Sequence, residues 1–470
     1  MVATRTVIAV NRFGLGARPG ELRLADADSR EWLLSQVQDT PPLPSELRNL
    51  PDSASALVQL QKLFEQRKAL KEPGQDDKAA AGKDFQRRQK EIQAKLRGIY
   101  TSQATARIKA AANSERPFYE RLTHFWANHF AVSADKQITR TLAATLENEA
   151  IRPHVTGYFA NMLLAVERHP AMITYLDNHM SIGPNSQAAR WAKRRRGKDL
   201  GFNENLAREI LELHTLGVNG GYTQEDVTIF AHVITGWTVA GTRGPFKDGD
   251  PGHFIFREQM HEPGSKKMLG QSYPDGGQKQ GIAVLNDLAE HPSTARFVAT
   301  KLVRHFISDD PPAAAVDRVA SAFRNSNGNL PVVYESLIDS VEAWDPPMPK
   351  FKTPQDFVIS TFRALDFTPT KMEHALGPLR ILGQLPYMPG SPAGWPDTAA
   401  DWAGSDAVMK RIEWSVAVGD RVGNRSHPLG VAEATIGPLM SEHSRLAVKR
   451  AASPAQALAL LLVSPEFQRR

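Results

Sequence analysis

One stretch of the chain, residues 203–226, concentrates side chains that can transfer protons and orient a polar substrate: NENLAREILELHTLGVNGGYTQED. If this stretch is helical, Asn205, Glu209 and Glu212 share one face at spacings of four and three residues. Arg208 lies beside that face. Two ionised glutamates one turn apart repel each other, so a neighbouring cation or a metal ion would stabilise them. The pattern indicates acid–base chemistry at the glutamates or, alternatively, a solvated helix face.

Two helices joined by a turn are expected to position this stretch. Leu206, Ile210 and Leu213 form an apolar face away from the glutamates, which predicts an amphipathic helix. Gly217 is a typical helix stop, and TQED at 223–226 has capping-box spacing for a second helix. The glutamates should therefore point away from the side that packs on the core.

A second candidate group lies in FYERLTHFWANHF, residues 118–130. Apolar residues recur at helical spacing from Phe118 onwards, and His129 falls on the same buried stripe. Asn128 and His124 share a neighbouring face, but His124 and His129 are five residues apart, which is the wrong spacing for two metal ligands on one helix. His129 is either a core histidine bonded to a carbonyl or an assistant in catalysis.

Further along the chain, residues 253–270 predict a small β-hairpin, because HFIFR and KKMLG flank a turn that contains EPGS. This hairpin would carry His261 and Lys266 near its tip. The following segment predicts a helix that begins at Pro292. Lys301 on that helix is either a surface lysine with a buried stem or a catalytic amine.

The composition is that of a soluble globular protein: 41% of the 470 residues are hydrophobic and 23% are charged. A formal net charge of +6 permits an anionic partner without requiring one. The chain has no cysteine, which excludes disulfides, thiolate zinc sites and a cysteine nucleophile. Any metal ion must therefore be bound by histidine, aspartate, glutamate or asparagine.

No secretory leader and no apolar run long enough to span a membrane is recognisable in the sequence. We therefore expect a cytoplasmic protein without a membrane span, or a periplasmic one if a leader has been removed. The helix-forming spacing predicts an all-α, mainly helical fold with one small β-hairpin near 253–270.

The chain is expected to divide into an N-terminal helical region at 1–115, a central helical core at 116–365 and a C-terminal helical region at 366–470. The first region should include a basic helical hairpin over residues 60–100. A second basic segment, 191–201, is predicted as a surface loop. Both segments are typical of solvated protein surface rather than of nucleic-acid sites, so no nucleic-acid partner is expected.

Segments distributed over nearly the whole chain resemble a bacterial family catalogued as domain of unknown function 1800. They are RFGLGARPGE (12–21), FWANHF (125–130), HPAMITYLDN (169–178), NENLAREILELHTLGVNGGYTQEDV (203–227), HEPGSKKMLG (261–270), HPSTARFVATKL (291–302), KFKTPQDFV (350–358), GWP (394–396) and SPEFQRR (464–470). The resemblance implies a mainly helical protein, often exported. It also implies a possible partner, since such proteins are often encoded beside a second family that resembles alkaline phosphatases and sulfatases.

Polar residues in the resembling segments suggest one shared site. We expect Glu209 or Glu212 to act as acid or base with assistance from His129. Nine further residues are expected to orient the substrate: Asn128, Asp177, Asn178, Asn203, Asn205, Arg208, Trp237, His261 and Lys266. Acids, a base, cations and amides together suit a hydrolase that acts on a glycan or a related polyhydroxylated or anionic polymer. That mechanism requires no cofactor.

Two other functions remain open at this point. The first is a metal-dependent phosphoryl transferase or phosphohydrolase, in which a divalent ion is bound by acidic and imidazole side chains: Asp177, Glu209, Glu212, His129 and His261. No glycine-rich phosphate loop supports the use of a nucleotide. The second is a helical scaffold without catalysis that binds the phosphatase-like or sulfatase-like partner.

Overall fold

The computed structural model describes residues 2–69, 78–241, 248–346 and 348–470. It is 63% helical with 4% strand, which confirms the mainly helical prediction. The N-terminal part contains α1 (Thr4–Ile8), α2 (Glu21–Ala25), α3 (Ser29–Leu34), α4 (Ser53–Ala69) and α5 (Lys78–Asn113). Helices α4 and α5 contact each other, as expected for the predicted helical hairpin. The turn of this hairpin was expected within residues 72–82, of which 72–77 lie outside the described residues.

The middle of the chain supplies most of the core helices. These are α6 (Pro117–His129), α7 (Gln137–Leu146), α8 (Phe159–Glu167), α9 (Pro170–Tyr175), α10 (Gln187–Arg196), α11 (Asn205–Glu209), α12 (Gln224–Val233), α13 (Gln278–Glu290), α14 (Pro292–Phe306), α15 (Ala313–Asn325) and α16 (Leu330–Ile338). Proline occupies the first position of α6 and α14, where its missing N–H costs no hydrogen bond. The prediction of a loop at 191–201 was wrong for residues 191–196, which are the last residues of α10. This helix has Ser186 as its N-cap and ends at Arg196.

The last part of the chain is also helical. It contains α17 (Pro354–Ala364), α18 (Met372–Leu382), α19 (Ala399–Trp402), α20 (Ser405–Val422), α21 (Pro428–Thr435), α22 (Glu442–Lys449), α23 (Pro454–Val463) and α24 (Pro465–Gln468). Helix α5 packs against α7, α17 and α18 and so joins the three predicted regions. One large cluster of buried apolar side chains runs through all three of them.

The β structure is as limited as predicted, but its pairing differs. Strand β1 (Trp237–Val239) pairs antiparallel with β2 (Phe254–Phe256), and β3 (Lys266–Met268) pairs antiparallel with β4 (Gln271–Tyr273). The two segments that were expected to pair with each other thus each have another partner. Between β3 and β4, Leu269 and Gly270 both have positive φ, at 51° and 79°. This is the conformation of a tight two-residue hairpin turn.

In the described part of the chain, three helices continue into π-helical turns: Ala9–Phe13 after α1, Glu147–Ile151 after α7 and Ile210–His214 after α11. A π turn contains one extra residue, so it changes which side chains share a face, and such turns are frequent at functional sites. Because Glu209 ends the α-helical part and Glu212 lies in the π turn, the regular helical register that was predicted for the two glutamates does not apply.

The predicted core sides of the helices are confirmed except at Leu213, which is only half-buried, whereas its neighbour Leu211 is buried. Phe118 and Leu122 of α6 are fully buried, and His129 of the same helix is buried with them. Ile210 is likewise buried. The capping box at Thr223 is present, since its side chain accepts from the backbone N–H of Asp226 and the Asp226 carboxylate accepts from the backbone N–H of Thr223.

Candidate functional site

A cavity of about 480 Å³ lies between α5, α6, α7, α14, α17 and the segment 384–401. Its wall combines aromatic and aliphatic side chains with an unusual number of charged and imidazole groups. Enclosed pockets of this size with a few convergent polar groups are where proteins bind small ligands. Asn128 and His129, both predicted as site residues, line it.

The most organised polar pair in the wall is His305 of α14 with Asp397. The imidazole Nδ1 lies 2.6 Å from Oδ2 of Asp397. Burial lowers the pKa of His305 to about 4 despite the opposing effect of Asp397, so the ring is neutral at pH 7. The carboxylate can only accept, and Nδ1 must therefore carry the proton. This leaves a lone pair on Nε2, which is buried and makes no hydrogen bond with any described residue.

Asp397 is held in its ionised form by its neighbours. Burial would raise the pKa of its carboxyl group, but His305, Lys350 and Arg470 lower it to about 2. The Lys350 ammonium lies 3.6 Å from Oδ1, and an Arg470 guanidinium nitrogen donates to the same oxygen at 3.2 Å. The ionised aspartate fixes the orientation and the tautomer of the His305 ring.

Two cations on the same wall form no direct ion pair with a described residue. Lys301 and Arg304 of α14 line the cavity, and neither forms a salt bridge or a hydrogen bond within the described part of the chain. Burial, followed by the charge of Arg304, lowers the pKa of Lys301 to about 8 against the opposing effect of Asp397. Burial and then Lys301 lower the pKa of His129 well below its usual value. This side of the cavity is electropositive and suits a ligand with a negative charge.

Other buried nitrogens of the wall are also unpaired. Nδ1 of His129 and Nε1 of Trp395 make no hydrogen bond with described residues, as is the case for Nε2 of His305. Leaving a buried polar group unpaired costs about 1–3 kcal/mol. Several such groups around one cavity indicate a site whose hydrogen-bond partner is a polar ligand or solvent.

Asn128 fixes the loop that closes the cavity. Its side-chain amide donates to the Trp395 carbonyl at 2.9 Å and accepts from the Trp395 backbone N–H at 2.7 Å. The preceding residue, Gly394, has a φ of +83°, and a Cβ there would lie 2.4 Å from the Asn128 carbonyl oxygen. Only glycine fits this close approach, which accounts for the GWP motif.

A buried ionic cluster lies next to the cavity, and its members Arg107, His124 and Glu147 line the wall. Arg107 Nε lies 2.6 Å from Glu147 Oε2, Arg152 lies 2.9 Å from Glu147 Oε1, and Arg152 binds both oxygens of Glu120 at 2.6 and 2.7 Å. His124 Nε2 is 3.4 Å from Glu120 Oε1. Burial would raise the pKa of Glu120, but Arg152 lowers it far below its usual value. The negative charges of Glu120 and Glu147 are thus neutralised by the positive charges of Arg107 and Arg152.

Glu120, His124 and Glu147 could hold a metal ion, since one ligand atom from each lies within 4.8 Å of the other two. Among the described residues, no three of the five alternative ligands predicted from the sequence come together in this way. The two arginines compete with a metal ion, because a divalent cation would add charge to a neutral cluster. The Glu120–His124 spacing of four residues was the signal in the sequence that could have identified this group.

The glutamates of the stretch 203–226 occupy another place. Glu209 and Glu212 are half-buried, do not line the cavity, and have no hydrogen-bond partner among the described residues. Burial raises the pKa of Glu209. His214 lowers this pKa, and the nearby carboxylate of Glu212 raises it. Arg208 binds Glu204 at 2.9 Å instead of the two glutamates. Catalytic roles for the two glutamates stay a prediction.

Two asparagines of this stretch belong to its N-terminal turn. The Asn203 backbone N–H donates to the Ser181 hydroxyl at 3.1 Å, and its side chain accepts from the Asn205 backbone at 2.9 Å. His214, which sequence reasoning did not select, connects the stretch to the cavity wall. Its Nδ1 lies 2.8 Å from Glu167 Oε1, and its carbonyl oxygen lies 3.1 Å from His129 Nε2.

The remaining predicted residues lie around β1 and β3. Asp177 forms a salt bridge with Lys136 at 3.0 Å, and Asn178 is buried and donates to the Ile234 and Trp237 carbonyls. Trp237 itself is fully buried, and the β1–β2 pairing fixes its backbone.

His261 and Lys266 are likewise held by backbone groups. Nδ1 of His261 lies 3.1 Å from the Thr235 carbonyl oxygen, and Lys266 donates to three carbonyls of residues 262–264. Neither residue lines the cavity. The structure therefore brings Asn128 and His129 to the cavity and leaves the other predicted residues elsewhere.

Several residues of the cavity were missed from the sequence. His305, Asp397, Arg304, Glu147 and Arg107 come from segments far apart in the chain, and His305 and Asp397 are separated by 92 residues. No local spacing connects them. The sequence did contain one signal for this site. Four of the segments that carry the family resemblance lie in or beside it: HPSTARFVATKL, KFKTPQDFV, GWP and SPEFQRR.

Fold and site together define a mainly helical protein with a polar, partly charged cavity. The chain belongs to the family described as "Protein of unknown function (DUF1800)", which matches residues 8–469. No curated protein and no solved structure matches it. Among the described residues, no helix has the length and apolar character needed to cross a bilayer.

Proposed function

We propose that the cavity is the active site of a hydrolase that acts on an anionic, polyhydroxylated substrate such as an acidic glycan. The observation that carries this proposal is the His305–Asp397 pair, whose neutral ring has an unpaired Nε2 in the cavity that Lys301 and Arg304 also line. A base for water and a wall that binds an anion are two of the elements that such a reaction requires, and the imidazolium formed at the base can supply the acid for the leaving oxygen.

The chemistry assigned to each group follows from its contacts. The Nδ1–H group of His305 donates a hydrogen bond to the ionised Asp397, and Nε2 takes a proton from a water molecule. The oxygen of that water forms a bond to the sugar carbon as the bond from this carbon to the leaving oxygen breaks, and the protonated His305 ring then returns the proton to the leaving oxygen. Lys301 and Arg304 bind the negative group of the substrate and stabilise charge that develops during the reaction. The free nitrogens of His129 and Trp395 are available to sugar hydroxyl groups.

An acid–base role for Glu209 or Glu212 is the competing form of the same proposal. The raised pKa of Glu209 favours it, because a protonated carboxyl group can donate to a leaving group. The two forms place the reaction in different parts of the molecule. Substitution of one candidate base at a time therefore distinguishes them.

The test compares His305→Gln and Asp397→Asn with the wild-type protein. Substrates are screened first from uronic-acid polysaccharides, sulfated polysaccharides, neutral glycans and phosphate esters. We expect both variants to lose roughly a hundredfold or more of turnover, the scale of a lost general base, while the folded state is retained. His443→Gln is the matched control, because His443 is exposed and outside the cavity. Full turnover in both variants would contradict the proposal.

A metal-dependent phosphohydrolase is the second candidate, and the arrangement of Glu120, His124 and Glu147 favours it. In this case phosphate esters should be hydrolysed only after a divalent metal ion is added, and Glu147→Gln should abolish the response. Absence of turnover on every substrate class, with and without metal ions, would instead support the scaffold that binds a phosphatase-like or sulfatase-like partner.

A further inference from the structure

Helix α10 and the residues that follow it form a strongly basic surface ridge. Within nine residues the chain carries six cations: Arg190, Lys193, Arg194, Arg195, Arg196 and Lys198. All six are exposed. Within the described residues, Lys193 forms a salt bridge with Asp199 at 3.3 Å, and the other five form none. Like charges at this density repel one another, and an anionic partner bound to the ridge would relieve that repulsion.

An aromatic ring lies among these cations. Trp191 is 48% exposed, and the Arg196 guanidinium carbon lies 5.3 Å from the centre of its ring. The small apolar side chains of the helix, Ala188, Ala189 and Ala192, are buried against the protein. Trp191 is therefore on the outer face, where a flat ring can stack on a ligand.

We propose that the ridge from Arg190 to Lys198 is a binding surface for an acidic polysaccharide, lying outside the catalytic cavity. Its guanidinium groups would pair with carboxylate or sulfate groups, which they bind in a bidentate manner, and Trp191 would stack on a sugar ring. The choice of polymer rests on the proposed function. The ridge then serves as an anchoring surface for the same class of substrate that the cavity hydrolyses.

Two other anionic partners fit the ridge less well. Helices that lie in a bilayer interface insert an apolar face, whereas the apolar face of α10 is buried in the protein. Surfaces for single-stranded nucleic acid stack successive bases on several aromatic side chains, whereas this ridge carries only Trp191 among its described residues. A polysaccharide requires no more than one stacking platform and a row of cations.

The test measures direct binding of the full chain to polygalacturonate by titration calorimetry, with dextran as the neutral polymer. We expect binding to polygalacturonate and none to dextran, and a marked loss of affinity between about 50 and about 200 mM salt because the contacts are exposed charges. Arg190→Glu with Arg194→Glu should weaken binding at least tenfold, the ratio that corresponds to ~1.4 kcal/mol. Trp191→Ala should weaken it several-fold at any salt concentration.

The matched control is Lys449→Glu with Arg450→Glu, which makes the same charge change at exposed positions elsewhere. Equal loss in the control would overturn the proposal, since it would show that net charge alone is responsible. Tighter binding to phosphatidylglycerol vesicles or to an oligothymidylate than to polygalacturonate would also overturn it. If the glutamate variant does not fold, Arg190→Gln with Arg194→Gln replaces it, and unchanged affinity there contradicts the proposal.

The outcome is independent of catalysis. His305→Gln should bind polygalacturonate as the wild-type protein does, because His305 is not on the ridge. Binding without any turnover on all substrates would disprove the proposed hydrolase and leave the ridge established. Turnover on short acidic fragments without polymer binding would disprove the ridge alone.

Discussion

The stretch 203–226 and the wall of the cavity contain similar residue types in different arrangements. In the stretch, Arg208 and Glu204 of neighbouring turns form a salt bridge near the surface, with side chains 38% and 29% exposed. In the cavity, His305 and Asp397 meet from distant segments, and their side chains are 14% and 21% exposed. A local run of polar residues is thus compatible with a solvated helix, whereas convergence of distant polar residues requires the whole fold.

The largest expected effect separates the two regions by turnover. His305→Gln should reduce turnover by roughly a hundredfold or more, because it removes the proposed base. Glu209→Gln should change turnover by no more than a few-fold and stability by no more than about 0.5 kcal/mol, because Glu209 makes no hydrogen bond within the described residues. Both variants are measured on one substrate, with melting followed in parallel. The reverse order of effects would move the active site to the stretch 203–226.

Stability should separate the same two regions. Glu147→Gln leaves Arg107 and Arg152 with an uncompensated charge in a buried cluster, and we expect a loss of about 3–5 kcal/mol in the free energy of unfolding. Glu204→Gln removes a partly exposed salt bridge and should cost about 1 kcal/mol or less. Denaturant unfolding measures both. Equal losses would show that the network around Glu204 is as important as the buried one.

Much of the fold was predictable because it depends on local spacing. The apolar stripe from Phe118 to His129, the capping box at Thr223 and the proline at the start of α14 all act over one or two helical turns. The exchange of strand partners was not predictable, because the partner of β2 lies upstream across residues 240–253 and nothing local selects it. The π turn at Ile210–His214 likewise depends on tertiary packing.

The candidate site was predictable only in part. His129 and Asn128 were identified because they lie on one helix with clear periodicity, and both line the cavity. His305 and Asp397 were not, because each has an ordinary sequence environment and acquires its function only from a partner 92 residues away. Tertiary contacts of that separation leave no spacing to recognise in one sequence.

The pH dependence compares Lys301 of the cavity with Lys266 of β3, which belongs to the site predicted from the sequence. Lys301 is charged below its pKa of about 8, so kcat/KM for an anionic substrate should fall as the pH rises through about 8. Lys301→Arg keeps the charge and should flatten this part of the profile. Lys266 donates to three carbonyls, and Lys266→Arg should leave the profile unchanged. A change with Lys266 instead would favour the site predicted from the sequence.

At acidic pH, the profile of kcat/KM against pH should show the protonation of His305. Its pKa is lowered to about 4 in the folded protein, so the ring stays a free base down to that pH, and activity should fall as the pH drops through about 4. The free energy of unfolding should also fall as the pH drops. The unfolded chain binds a proton below about 6.5 and the folded chain does not, so stability declines from pH 6.5 towards 4. His305→Gln should make that decline shallower, and an unchanged slope would contradict the buried, neutral ring.

The smallest expected effect concerns removal of metal ions. Glu120, His124 and Glu147 have the spacing of a metal site, but Arg107 and Arg152 already neutralise the two carboxylates. A bound divalent ion would have to displace them. Dialysis against EDTA should therefore change the melting temperature by no more than ~1 °C, since a ligand that is not bound contributes no stability.

A variant makes the metal experiment decisive in both directions. Arg152→Gln frees both Glu120 oxygens and one Glu147 oxygen, so it should unfold more easily than the wild-type protein, yet gain several degrees in melting temperature when Zn²⁺ is added. The wild-type protein should gain none, because its two arginines occupy the ligand oxygens. Stabilisation of the wild-type protein by Zn²⁺ that is lost on Glu147→Gln would show that the arginines yield to the metal ion. The cluster beside the cavity would then be a metal centre, and the result would favour the phosphohydrolase over the proposed glycan hydrolase.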